Sequence, residues 1–207
     1  MLNKIIRTFK NNQRNILGHK NSIKTGVLLP LVYNEEQQLC ILFEKRALNM
    51  KRQPGEICFP GGSQEKSDSS LQETAVRETC EELGLLSEDI TIIADLDIFL
   101  TPFNFMVYPI LSFIKTLEHL NPNPHEVEKI LLVPVDYLQA CEPRTEKIRQ
   151  YQVFDKDFPF ELIPQGRDYP FRAAVNIVYF FQYKNEVIWG LTARILNDFL
   201  ERLKDSH

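Results

Sequence analysis

The sequence predicts an α/β fold in which a mixed β-sheet is covered by helices on both faces. Three observations predict it. Apolar runs rich in Val, Ile, Leu and Phe, of the length expected for strands, recur between Gly, Pro and Asn turn signals. Segments with helical periodicity stand early, in the middle and late in the chain, so helices have to pack on a sheet instead of forming a separate bundle. With 207 residues, 43% hydrophobic and 25% charged, the composition suits one globular domain over residues 1–207, with a single sizeable core.

The elements follow in order. Leu2, Ile5, Ile6 and Phe9 mark one stripe of an N-terminal helix, an extension over about residues 1–20. Thr25 to Tyr33 is a strand, Asn34-Glu35-Glu36 a turn, and Gln38 to Arg46 the returning strand of a hairpin. Pro54-Gly55 and Pro60-Gly61-Gly62 punctuate a loop region around a short strand at Glu56 to Phe59. Ser69 to Leu83 is a helix, capped by Asp68 or Ser69 and stopped by Gly84. Ile90 to Leu100, Phe105 to Ile114 and Lys129 to Val133 read as strands, and Pro134 opens a short helix to about Ala140. Glu142 to Arg172 shows little periodicity and reads as an irregular excursion, a candidate lining for a site. Ala174 to Tyr183 and Glu186 to Ile188 form a hairpin, and Leu191 to Leu203 is the final helix.

Net charge is −4, and nothing in it suggests a nucleic-acid backbone as the main partner. The charge is uneven. Lys4, Arg7, Lys10, Arg14, Lys20 and Lys24 fall in the first 24 residues with no Asp or Glu, leaving −10 for the rest. Such a segment is either a basic arm drawn to an anionic ligand or membrane surface, or a helix docked by its apolar stripe with a solvated basic face. The stripe favours the docked helix. Cys40, Cys58, Cys80 and Cys141 show no metal-ligand or redox spacing and read as reduced thiols. No run approaches the ~18 apolar residues of a membrane span, and the first residues lack a signal-peptide core. The expectation is a cytoplasmic protein, monomer or homodimer, whose partner is a small molecule, with no nucleic acid and no membrane.

The segment that carries chemistry is Gly61-Gly62, Asp68, and Arg77-Glu78-Thr79-Cys80-Glu81-Glu82-Leu83-Gly84-Leu85. On a helix Glu78, Glu81 and Glu82 share one face, because residues three and four apart are neighbours. Carboxylates crowded this way raise one another's pKa unless a cation cancels them. Mg²⁺ or Mn²⁺ fits, since hard cations prefer oxygen ligands and keep open positions for water and phosphate oxygens. A diphosphate substrate needs that neutralisation and an in-line water. Glycines at 61 and 62 let backbone approach a metal or substrate without side-chain obstruction. An acidic face that merely solvates, paired i to i+4 with Arg77, is the plain alternative; the glycine loop upstream and Gly84-Leu85 downstream weigh against it.

These residues resemble the Nudix box, G-x5-E-x7-R-E-U-x-E-E-x-G-U with U bulky and aliphatic, over about residues 62–85. Thr79 stands at a U position, Gly62 lies one residue too far upstream, and Asp68 stands near the place of the first glutamate. The one-residue insertion is similar to the coenzyme A diphosphatase subgroup, as is Leu42-Phe43-Glu44-Lys45-Arg46-Ala47, then Lys51, Gly55 and Phe59-Pro60-Gly61-Gly62. Phe43, Glu44 and Lys51 depart from that pattern. Lys51 in place of Arg keeps the charge and loses the bidentate fork. Asn123-Pro124-His125-Glu126-Val127 and Ile188 to Leu196 also resemble the subgroup.

The resemblance implies a Nudix-fold α/β/α sandwich that hydrolyses coenzyme A to 3',5'-ADP and 4'-phosphopantetheine, acyl-coenzyme A included. It implies Glu78, Glu81, Glu82 and Gly62 at a Mg²⁺ or Mn²⁺ site, and Arg46, Lys51 and Gly61 at the substrate. Glu81, Glu126 and Arg77 are the candidates for the catalytic step, with Arg77 as partner of a carboxylate and Glu126 as a base or extra metal ligand from a loop. ADP-ribose or a nucleotide sugar as substrate, and a Nudix-fold binding module without catalysis, stay open as alternatives. His125 reads as a surface residue, Cys58 as a small core residue, and Trp189 and Arg194 as packing for the last helix.

Overall fold

The computed structural model describes residues 1–11 and 16–205, apart from the side chain of His19. In chain order the elements are α1 (Leu2–Phe9), β1 (Ile23–Tyr33), β2 (Leu39–Arg46), β3 (Ile57–Cys58), β4 (Gly61–Ser63), α2 (Leu71–Leu83), β5 (Ile90–Asp95), β6 (Phe99–Leu100), β7 (Phe105–Ile114), β8 (Val127–Pro134), α3 (Val135–Ala140), β9 (Arg144–Gln150), β10 (Ala174–Tyr183), β11 (Glu186–Trp189) and α4 (Gly190–Asp205). This is the α/β class expected from the sequence. Two compact units are present, one of residues 1–30 and 60–121, the other of 31–59 and 122 onward.

In the first unit, β1 pairs antiparallel with β4, matching Thr25, Gly26 and Val27 to Ser63, Gly62 and Gly61. β5 pairs antiparallel with β7 through a bulge near Ile92 and Ala94. That bulge and the break before β6 split the single strand expected over 90–100. α2 packs Ala75, with Val76 and Cys80, onto Leu28, Ile90 and Ile110. Gly26 permits this closeness, because a Cβ there would collide with the Leu71 carbonyl and Ala75. The cap of α2 is Ser70, whose hydroxyl accepts from the Glu73 amide at 3.1 Å, and not Asp68 or Ser69. Asp68 is otherwise engaged, as shown below. Gly84 ends the helix at φ 70, in the left-handed region. Thr79, at a position where an aliphatic residue is expected, is buried and donates its hydroxyl to the Ala75 carbonyl at 2.7 Å, so no polar group is stranded.

α1 corrects the sequence reading. The helix forms, yet none of its residues is buried, and Leu2, Ile5, Ile6 and Phe9 are 48–69% exposed. It is amphipathic without being docked on the described residues. Arg14 lies outside those residues.

In the second unit β2 is central. It pairs with β8 along one edge, from Cys40 opposite Pro134 to Arg46 opposite Val127. Its other edge takes the last residues of β1 and then β3, with Glu44 opposite Cys58. Cys40, Ile41, Leu42 and Phe43 are consecutive and fully buried, the mark of a strand covered on both faces. β11, β10 and β9 form a three-stranded antiparallel sheet, and α4 packs on β10 and β11. β9 departs from the sequence expectation: it runs through the stretch that reads as irregular, and its residues Arg144 to Gln150 pair with β10 over the whole strand. Beyond it the chain closes on its own aromatic knot, with Phe154 at 4.5–5.2 Å from Phe158, Phe160 and Phe171.

Candidate active site

The α2 helix sets its carboxylates against the glycine turn. The Gly61 amide donates to Glu82 Oε2 at 2.8 Å, and Glu82 is buried. Glu78 lies over Gly62: a Cβ on that glycine would fall within 2.6 Å of both carboxylate oxygens. Gly61 has φ 143, and a Cβ there would strike the Gly26 carbonyl and Val27. The two glycines therefore have different roles. Gly61 allows β4 to press on β1, and Gly62 leaves room for the Glu78 carboxylate.

Arg77 gathers the remaining charge. Its Nε and Nη2 donate to Asp68 Oδ1 and Oδ2, both at 3.0 Å, the bidentate fork that only arginine forms. Its Nη1 lies 3.0 Å from Glu78 and 3.3 Å from Glu81. Asp68 also accepts the Glu65 amide and the Thr74 hydroxyl, each at 2.9 Å, and its side chain is 3% exposed. The Arg77 hydrogen bonds, then the Glu65 amide, hold its carboxyl well below the usual carboxylate range, and the same Arg77 bonds push the guanidinium up. Asp68 is thus the anchor of Arg77 in this geometry. Glu81, whose side chain is 59% exposed, is the open member of the trio.

Among the described residues no three His, Cys, Asp or Glu side chains are grouped as a ready metal site. Arg77 Nη1 supplies the positive charge beside Glu78 and Glu81. The donor chemistry still fits a hard divalent cation. Three carboxylates occupy one helix turn, and a Cβ-free glycine lies under one of them.

The remaining expected residues lie in the second unit. Arg46 ends β2; its Nε donates to the Arg52 carbonyl at 3.4 Å, and its own carbonyl accepts the Gly55 amide. Lys51 is exposed in the loop that follows. The Glu126 carbonyl accepts the Ala47 amide at 2.8 Å, which holds this loop residue beside the end of β2. His125 is exposed, as expected. Arg194 lies over the Tyr179 ring and Trp189 stacks on Phe180, so both pack on β10 while staying exposed.

Sequence reasoning missed Glu44. It is 1% exposed on β2; Oε1 accepts the Cys58 thiol at 3.3 Å, and Oε2 has no hydrogen-bond partner among the described residues. Burial pushes its carboxyl up to about 7; the Cys58 thiol and Arg46 pull it down, and Glu126 pushes it up. Cys58 is accordingly half-buried and hydrogen-bonded, more than core filling. The available signal was that Glu44 continues a fully apolar strand run, where a charge needs a reason.

A family model described as NUDIX domain matches residues 23–156. The peroxisomal coenzyme A diphosphatase NUDT7 of Mus musculus is 29% identical over 86% of this chain and 69% of its own length. The uncharacterized Nudix hydrolase NudL of Pectobacterium atrosepticum is 25% identical over 88% of this chain and 83% of its length. The chloroplastic Nudix hydrolase 22 of Arabidopsis thaliana is 30% identical over 84% of this chain, which spans only 53% of that protein. The crystal structure of a MutT/nudix family protein from Enterococcus faecalis superposes with a TM-score of 0.52 over 99% of this chain and 70% of that one, at 15% identity, a likeness of fold.

Proposed function

Because the chain belongs to the Nudix family, we propose that the carboxylate face of α2 is the metal centre of a coenzyme A diphosphatase. The protein is a hydrolase acting on phosphorus anhydride bonds. The observation that carries the proposal is the seating of Glu78 and Glu82 on Gly62 and Gly61, with Arg77 locked by Asp68 beside them. Glu78, Glu81 and Glu82, with the Gly62 backbone, would hold Mg²⁺ or Mn²⁺. When bound, such an ion neutralises the diphosphate and supplies a water of lowered pKa.

The chain's own residues do the rest. Glu82 is fixed by the Gly61 amide, so its carboxylate needs no reorganisation to act as a ligand. Arg77 keeps two of its donors on Asp68, so Nη1 can yield Glu78 and Glu81 to a cation while the guanidinium stays in place. Glu81, the exposed member, and Glu126, on its loop, are the candidates for accepting the water proton. Water adds to one phosphorus, the bridging oxygen leaves, and 3',5'-ADP and 4'-phosphopantetheine result.

Coenzyme A is favoured over other diphosphates by the Arg46, Lys51, Gly55 and Phe59-Pro60-Gly61-Gly62 spacing and by the mouse coenzyme A diphosphatase among the relatives. Arg46 and Lys51 supply cations for the diphosphate or the 3'-phosphate. Lys51 in place of Arg is the observation that favours a second reading, a diphosphate without the 3'-phosphate. Chromatography of products from coenzyme A, acyl-coenzyme A, ADP-ribose and nucleotide sugars decides between them. Formation of 3',5'-ADP from coenzyme A at the highest kcat/KM is expected; brisk ADP-ribose hydrolysis with coenzyme A untouched overturns the substrate.

A further inference from the structure

We propose that α1 is a membrane-surface anchor: an amphipathic helix whose exposed apolar stripe enters the interface of an anionic lipid bilayer while its lysines and arginine face the headgroups. The inference is independent of which diphosphate the enzyme cleaves.

An apolar stripe normally exists to be buried. Here Leu2, Ile5, Ile6 and Phe9 fall at i, i+3, i+4 and i+7, yet the helix buries none of its residues on the rest of the described chain. Lys4 and Arg7, with Asn3 and Thr8, occupy the remaining surface and Lys10 follows as the C-cap; none of the three cations forms an ion pair with a described residue. No acidic residue occurs in the first 24, while the rest of the chain carries −10. An occupant therefore has to offer apolar depth and diffuse negative charge together. A nucleic acid offers the charge without the apolar depth. An anionic bilayer offers both, and short amphipathic helices with Lys and Arg on one face and Leu, Ile and Phe on the other partition there.

A second apolar tip stands in the same unit. Asn21 and Ser22 are tied to the turn that precedes β7. There Asn104 takes the Ser22 hydroxyl at 3.0 Å, donates to the Asn21 carbonyl at 2.7 Å and accepts the Ile23 amide at 2.9 Å. Phe103, next in the turn, is 72% exposed, and Ile23 is 47% exposed. Lys20 and Lys24 flank this junction without ion-pair partners among the described residues. The helix and the junction thus repeat one pattern, a bare aromatic or aliphatic tip among uncompensated lysines. No helix among the described residues is long and apolar enough to cross a membrane, so the contact lies in the interface plane.

The test is co-sedimentation of the full chain with phosphatidylcholine vesicles, with and without phosphatidylglycerol, at low and high salt. Binding to the anionic vesicles alone, weakened by salt, is expected. Ile6→Asp should weaken it by at least ~10-fold, and the pair Lys4→Glu and Arg7→Glu by a similar factor. Because α1 buries nothing, these variants should keep the wild-type melting temperature and the wild-type hydrolysis of soluble diphosphates. The proposal is overturned if anionic vesicles leave the protein in the supernatant, or if binding ignores salt and both sets of substitutions. It is equally overturned if Ile6 instead controls self-association in solution while vesicles are not bound.

Discussion

Replacing Glu44 by Gln tests how the second unit carries a buried acid. The carboxyl is buried beside Cys58, Arg46 and Glu126, with one oxygen unpartnered among the described residues, and is raised from 4.5 to about 7. A folded-state pKa above the unfolded one means the folded protein holds more protons between the two values, so stability falls as pH rises through this window. At about 1.36 kcal/mol per pKa unit, the loss between about pH 5 and about pH 8.5 is roughly 2–3 kcal/mol. A glutamine side chain keeps the shape and cannot ionise, so this loss disappears in the variant, while every other titration is shared and cancels in the difference. Urea unfolding, followed by the fluorescence of the single tryptophan, measures both proteins across that range. The stability difference should move in favour of Glu44→Gln by roughly 2–3 kcal/mol as pH rises. A difference that stays flat with pH would refute the reasoning, because it would mean that Glu44 is ionised in the fold or is reached by water.

Three further sets of substitutions probe the site. Glu82→Gln can keep the Gly61 hydrogen bond through its amide oxygen but loses the charge, so kcat should fall at least ~100-fold with the melting temperature unchanged. Gly62→Ala places a methyl group on the Glu78 carboxylate, the movable end of a side chain, so activity should collapse with little loss of stability. Gly61→Ala meets backbone at a positive φ, and circular dichroism melting should show it to be markedly destabilised. Arg46→Ala and Lys51→Ala should each lower kcat/KM for coenzyme A by roughly 10- to 150-fold, the worth of one charge-assisted contact. Comparison with dephospho-coenzyme A reads their target: a smaller loss there assigns the 3'-phosphate, an equal loss the diphosphate.

What is legible in the sequence is what local chemistry decides. Gly84 stops α2 because only glycine takes its left-handed φ cheaply, and the i, i+3, i+4 spacing by itself puts three glutamates on one face. The cap of α2 lies one or two residues from its expected place because Asp and Ser cap equally well by type, and Arg77 claims the Asp68 carboxylate. β9 is invisible because Arg144, Glu146, Lys147 and Arg149 break any apolar alternation; its strand comes from pairing with β10, a long-range fact. Glu44 looks like a departure from a motif, and its burial depends on both neighbours of β2, which no local window contains. The stripe of α1 shows amphipathicity correctly. A stripe says that a partner is needed and does not name it.

The proposed chemistry stands or falls on the α2 carboxylates acting through a divalent cation on a diphosphate. Coenzyme A turnover by the wild-type chain, followed as release of 3',5'-ADP in EDTA and after excess Mg²⁺ or Mn²⁺ is restored, tests it directly. No turnover in chelator and full recovery with either metal are expected, because Arg77 Nη1 alone cannot neutralise Glu78, Glu81 and a polyanion together. Undiminished release of 3',5'-ADP in EDTA would contradict it.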